Sequence, residues 1–225
     1  MSPVTLAPTD LIDSNHPAVA GFAARVARGA DDRERAVALY DAVRDGFRYD
    51  PYRIDLSPAG MRASTVLALG YGWCVPKATL LAAACRAAGI PARVGYADVR
   101  NHLSTERMRA VMQTDVFHWH GYAEIEIEGR WLKATPAFNR ELCERFGLKT
   151  LEFDGRADSL YHPFDRHGQR HMEYVAQRGS FDDVPLACMV ADLARLYPNW
   201  TPGHAGLASV DFAADAARES RPADR

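Results

Sequence analysis

The stretch from Gly70 to Pro91 constrains the fold more than any other part of this chain. A glycine-rich loop, Gly70-Tyr71-Gly72-Trp73, runs into an alanine-rich segment where Ala78, Leu81, Ala82 and Cys85 recur at three- and four-residue steps. That spacing predicts a helix over 75–88, and Gly89 followed at once by Ile90-Pro91 predicts its stop. Cys74 therefore stands at or near the first turn, with Cys85 three turns down the same side. A helix start gathers unpaired N–H groups and positive potential, which favours thiolate over thiol and offers donors to an oxyanion. The pattern marks Cys74 as a candidate nucleophile, whereas Cys85, Cys143 and Cys188 read as small buried hydrophobes.

A nucleophilic thiol needs a base, and the chain offers one on a strand. In Trp119 to Glu128, Ala123, Ile125 and Ile127 alternate with Glu124, Glu126 and Glu128, the pattern of a half-buried strand. Gly129-Arg130 then predicts a turn into a second strand, Trp131 to Thr135, which Pro136 ends. His120 falls at the start of the first strand, where an imidazole is accessible yet rigidly held. By parity it shares a face with Tyr122 and Glu124 unless Gly121 hosts a bulge.

Taken in order, these pieces resemble the transglutaminase-like superfamily of papain-fold cysteine enzymes. The matching residues are Gly72-Trp73-Cys74, Arg86-Ala87-Ala88-Gly89-Ile90-Pro91-Ala92-Arg93, His120-Gly121-Tyr122-Ala123-Glu124 and Trp131. Upstream, Arg33 to Tyr49 is similar to the family's leading helix with its terminal aromatic, and Ser64 to Leu67 to the short helix before the loop. The resemblance covers about 30–139. It implies an α+β, papain-like core in which a helix bearing Cys74 packs on an antiparallel sheet bearing His120.

One position departs from the family. An aspartate usually stands four residues after the second strand's tryptophan, orienting the histidine and holding its tautomer; here Thr135 occupies that place. Three substitutes are open: Thr135 itself, Asn139 acting as the amide orienter of papain-type enzymes does, or a carboxylate such as Glu124, Asp154 or Asp165.

The chemistry implied is acyl transfer without a cofactor or metal. Cys74 attacks a carbonyl, His120 protonates the leaving group, and His120 then activates water or an amine against the thioester. The N–H of Cys74 is a natural oxyanion donor, joined by the Trp73 indole or by a hydroxyl from Tyr49, Tyr52 or Tyr71. Trp73, Tyr122 and His118 are candidate substrate-pocket residues. The expected partner is a small-molecule or peptide substrate. Hydrolysis of an amide or peptide-like bond leads; transfer to an amine and a non-catalytic binding module retaining the fold are the alternatives. His118 and His120 form a His-x-His pair, but no third metal ligand is convincingly spaced near it.

Composition fits one catalytic domain over 1–202, with a core at about 30–139, a C-terminal elaboration over 140–202 and a tail over 203–225 expected to be partly disordered. A net charge of −2 and a pI near 6.4 provide no basic field for nucleic acid or an anionic membrane. The four cysteines show no paired spacing, and Met1 to Asp10 lacks a secretion signal, so a cytoplasmic location is expected. Between the strands, 99–115 contains a short helix capped by Ser104 or Thr105, which either covers the cleft as a lid or is a surface excursion whose Met108, Val111 and Met112 pack on the core. Further on, 140–146 and 186–196 read as helices and 151–153 and 172–176 as extended, while Tyr161 to Arg166 is a polar aromatic run.

Overall fold

The computed structural model describes residues 3–101, 104–161, 166–168, 171–199, 207 and 209–219. Two helices lead, α1 (Pro17–Val26) and α2 (Asp32–Gly46). Asp31 caps α2 by accepting the N–H of Glu34, and the chain turns extended at Phe47. The expected leading helix thus ends short of Tyr49, which joins the two-residue strand β1 (Arg48–Tyr49). After α3 (Pro58–Met61) and α4 (Ala63–Leu69), Gly70 ends the helix in the left-handed region at φ 72°. β2 (Tyr71–Gly72) then pairs parallel with β1, placing Tyr49 opposite Gly72 and so close in space to Cys74.

The predicted helix is α5 (Cys74–Ala87), and every residue from Cys74 to Arg86 is buried. Its alanines let α1, α2, α4 and the sheet approach closely on all sides. Two cations share this burial, each matched to backbone carbonyls, as buried charge requires. Lys77 Nζ donates to the carbonyls of Arg44, Phe47 and Ala137 at 2.9, 2.6 and 2.8 Å. Desolvation pushes the Lys77 pKa down to about 7, yet three acceptors match the three donors that only the ammonium carries. Arg86 donates to the carbonyls of Ala92, Ala7 and Asp182.

The remaining elements are β3 (Ala92–Asn101), α6 (Glu106–Met112), β4 (Val116–Ile127), β5 (Arg130–Ala134), α7 (Arg140–Arg145), β6 (Met172–Phe181), α8 (Leu186–Leu196) and α9 (Phe212–Glu219). The sheet runs β5-β4-β3-β6, antiparallel throughout. Ala123, Ile125 and Ile127 are buried as the alternation predicts. Glu124 is buried too, held by Arg93 at 2.6 Å, and Arg93 lies over the Trp131 ring. The β4–β5 hairpin turns at Glu128-Gly129, one residue before the expected Gly129-Arg130. Both residues have positive φ, 53° and 76°, which suits the twist of a two-residue hairpin.

The 140–202 region shares the sheet, because β6 pairs with β3. Part of the expected tail is ordered against the body as well. Phe212 of α9 packs edge-on to Tyr49 and Tyr52, and buried Asp215 accepts from Tyr52 Oη at 3.1 Å and pairs with Arg107. Aromatic contact and an ion pair anchor a segment whose composition suggested solvent. Among the described residues, no helix is long and apolar enough to cross a membrane.

Candidate active site

Cys74 opens α5 directly after Trp73, whose extended backbone caps the helix. β4 passes close by at Gly121: a Cβ there would lie 2.9 Å from Val75 Cα, so only glycine lets the strand reach the helix start. That contact brings His120, the neighbouring residue, to the cleft that Cys74 borders, where it lies inside β4 and buried rather than accessible at the strand's start.

Both groups are desolvated. Burial pushes the Cys74 thiol up to about 11, against opposing hydrogen bonds from the backbone of Gly121, Val75 and Cys74 itself. Burial also drives the His120 imidazole down to about 4, with His171 adding to the effect. The resting pair is therefore neutral thiol and neutral imidazole. The helix start was expected to favour thiolate, but the cost of burying an ion outweighs the N–H dipoles here. His120 Nε2 is buried with no hydrogen-bond partner, and its ring lies 5.4 Å from that of Tyr161.

β4 does bulge, though not at Gly121. His120 pairs with Ala97 and Phe117 with Val99, so His118 and Trp119 together oppose Asp98 alone. Trp119 takes up the extra residue at φ 60°, a strained conformation for a bulky side chain. The distortion aims the Trp119 N–H at Asp98 Oδ1, 3.2 Å away, and brings His118 Nδ1 within 3.0 Å of Asp98 Oδ2. Arg178 from β6 also donates to Asp98 and reaches Asp192 of α8 at 2.7 Å. Burial alone would raise the Asp98 carboxyl, but hydrogen bonds from Arg178, His118 and Trp119 bring it below its ordinary value.

The cleft offers about 60 Å³ beside the sulfur, and its walls are mostly apolar. Trp73, Tyr49 and Phe138 form one side. Met108 and Met112 of α6 form another, so the insert does border the cleft, with Thr105 capping α6 by accepting the Met108 N–H. His118, His120 and Asn101 are among its polar residues.

Other residues singled out from sequence stand apart. Thr135 is buried, its hydroxyl turned to the Tyr174 phenol, and it does not line the cleft. Asn139 Oδ1 accepts the backbone N–H of Tyr49 at 3.3 Å, which occupies it away from His120. Tyr122 donates to Gln177 at 3.1 Å, lies under Lys133 Nζ and does not line the cleft. Glu124 is taken by Arg93, and Asp154 accepts the N–H groups of Arg156 and Ala157 in its own turn. Asp165, like the run from His162 to Asp165, lies outside the described residues. Of the three tyrosines, Tyr49 borders the cleft, its phenol pushed well up by desolvation and then by Cys74. Tyr52 is engaged by Thr105 and Asp215, and Tyr71 lies beneath Arg48 and Arg53. Sequence reasoning missed Asp98, Arg178 and Asp192; the His-x-His pair was the only nearby signal.

All four cysteines are free; Cys85 and Cys143 are buried as expected, whereas Cys188, read as a buried hydrophobe, is exposed on α8. Among the described residues, no group of three or more His, Cys, Asp or Glu is placed to hold a metal ion.

The sequence profile of the transglutaminase-like superfamily matches residues 20–136, just over half of the chain. The chain belongs to that superfamily, whose mixed architecture of helices and an antiparallel sheet it shares. It is similar to a candidate cysteine protease from Cytophaga hutchinsonii, at 18% identity and a TM-score of 0.49, over 81% of this chain and 47% of that one. It is also similar to a candidate protease from Parabacteroides distasonis, at 20% identity and a TM-score of 0.38, over 52% of this chain and 22% of that one. The chain thus spans about half the length of the first and about a fifth of the second. No curated protein matches it.

Proposed function

We propose that this protein is a cysteine-dependent acyl-transfer enzyme that hydrolyses an amide or peptide-like bond through a Cys74 thioester, with His120 as acid and base. The observation that carries this reading is that the thiol at the start of α5 and the imidazole of His120 border one cleft. Because the resting pair is neutral, His120 takes the thiol proton during attack rather than before it. The backbone N–H of Cys74 serves the oxyanion, with the Tyr49 hydroxyl across the cleft as a second donor. The apolar walls favour one further reading: restricted entry of water leaves room for an amine acceptor, giving transfer in place of hydrolysis. The substrate is a small molecule or peptide.

The test is p-nitrophenyl acetate turnover in a Cys188→Ser background, which removes the exposed thiol. A rapid-quench mass spectrum is expected to show one acetyl group on Cys74, and an added primary amine then reports hydrolysis against transfer. Turnover that survives Cys74→Ala defeats the assignment.

A further inference from the structure

Resting on the thiol reading above, we propose that His118, held by Asp98, is a second proton-transfer residue of the same cleft and serves the leaving group. His118 borders the cleft together with Cys74 and His120. Unlike His120, it is fixed from three directions. Its backbone N–H donates to Tyr197 Oη at 2.7 Å, its ring packs 5.6 Å from the Tyr197 ring, and its Nδ1 lies 3.0 Å from Asp98 Oδ2.

An ionised carboxylate only accepts, so Nδ1 carries the hydrogen, and Nε2 is the nitrogen left for the cleft. Arg178 comes within 3.4 Å of Nδ1, but a guanidinium cannot accept, which leaves Asp98 as the ring's acceptor. The Arg178 charge is shared between Asp98 and Asp192, and the carboxylate, 3.0 Å from Nδ1 against 3.4 Å for the guanidinium, is the charge nearest the protonated ring. This arrangement supplies what the family aspartate would supply, on a different histidine.

The proton path closes over one turnover. His120 takes the thiol proton as the carbon–sulfur bond forms. His118, which enters the cycle protonated on both ring nitrogens, gives its Nε2 proton to the leaving heteroatom as that atom's bond to carbon breaks and the electron pair stays on it, and is left neutral with its hydrogen on Nδ1. In the second half, His118 takes a proton from the incoming water as the carbon–oxygen bond forms. The carbon–sulfur pair returns to sulfur, which recovers its proton from His120. The sum is acyl donor plus water giving acid plus protonated leaving group.

The experiment is a series of aryl acetates from p-nitrophenyl to phenyl, assayed on the Cys188→Ser protein and on His118→Gln and Asp98→Asn made in it. A good leaving group departs unaided, whereas a poor one needs the acid. Both variants are expected to lose about ten times more rate on phenyl acetate than on p-nitrophenyl acetate. Glutamine keeps an N–H for Asp98 but cannot relay a proton, so His118→Gln decides the matter alone should Asp98→Asn fail to fold. An equal loss across the series for His118→Gln overturns the proposal and leaves His118 a structural residue. Wild-type turnover indifferent to Cys74→Ala would instead sink the thiol reading itself.

Discussion

His118 and His120 stand two residues apart on β4 and meet opposite surroundings. His118 has Asp98 on one ring nitrogen and an ion cluster behind it; His120 is buried against the Tyr161 ring, its Nε2 without a hydrogen-bond partner among the described residues. The bulge at Trp119 separates the two environments while leaving both rings on one cleft. Burial beside the thiol's cleft and electrostatic support for a charged ring are thus separable properties, and of the two side chains on this strand only His118 has the carboxylate.

The comparison breaks first at the sulfur. If both histidines serve Cys74, Cys74→Ala lowers aryl-ester turnover at least about 10³-fold, more than either histidine variant. A smaller loss in a steady-state assay would mean that the histidines act without it.

Stability against pH tests the sealed environment of His120. Its folded pKa of about 4 lies below the unfolded value of 6.5, so the stabilisation is fully present above pH 6.5 and is lost as pH falls through that window. The loss should come to about 2 kcal/mol between pH 7 and pH 4.5 and about 3 kcal/mol once the pH is well below 4. Urea midpoints at pH 7 and pH 4.5 for wild type and His120→Gln measure it; equal pH slopes would place His120 in water.

Kinetics then sharpen the division of labour. His120→Gln should slow acylation of Cys74 by about 10²-fold on every aryl acetate, because it removes the base in the attack step. A loss graded by leaving group would give His120 the role assigned to His118.

The smallest effect is the most diagnostic. Thr135→Asp restores a carboxylate at the place where the family keeps one, and a nearby negative charge raises an imidazole pKa. Iodoacetamide labelling of Cys74 at pH 6, in the Cys188→Ser background, should then accelerate about tenfold. No change would show that residue 135 does not reach the ring.

Local pattern was legible where local physics decides. The alanine-rich run and the glycine stop anticipated α5 and its end to within a residue or two, Thr105, one of the two capping candidates, starts α6, and 186–196 is α8 as expected. The β4–β5 hairpin was displaced by one residue because positive φ at Glu128 cannot be read from alternation. α9 was hidden because its anchors, Tyr52 and Arg107, lie more than a hundred residues upstream. The raised thiol pKa was hidden for a similar reason: a helix start is visible in sequence, but the desolvation that opposes it comes from everything packed around it.

By itself the sequence determined that a thiol opens a helix and that a histidine lies on a strand, since helix propensity, glycine stops and side-chain alternation act over a few residues; that β4 begins at Val116, with His120 inside it, was not legible. Only the tertiary structure decided which histidine receives a carboxylate. Asp98, His118 and Arg178 belong to three adjacent strands, and pairing with its bulge is what brings eighty residues of separation down to hydrogen-bond distance.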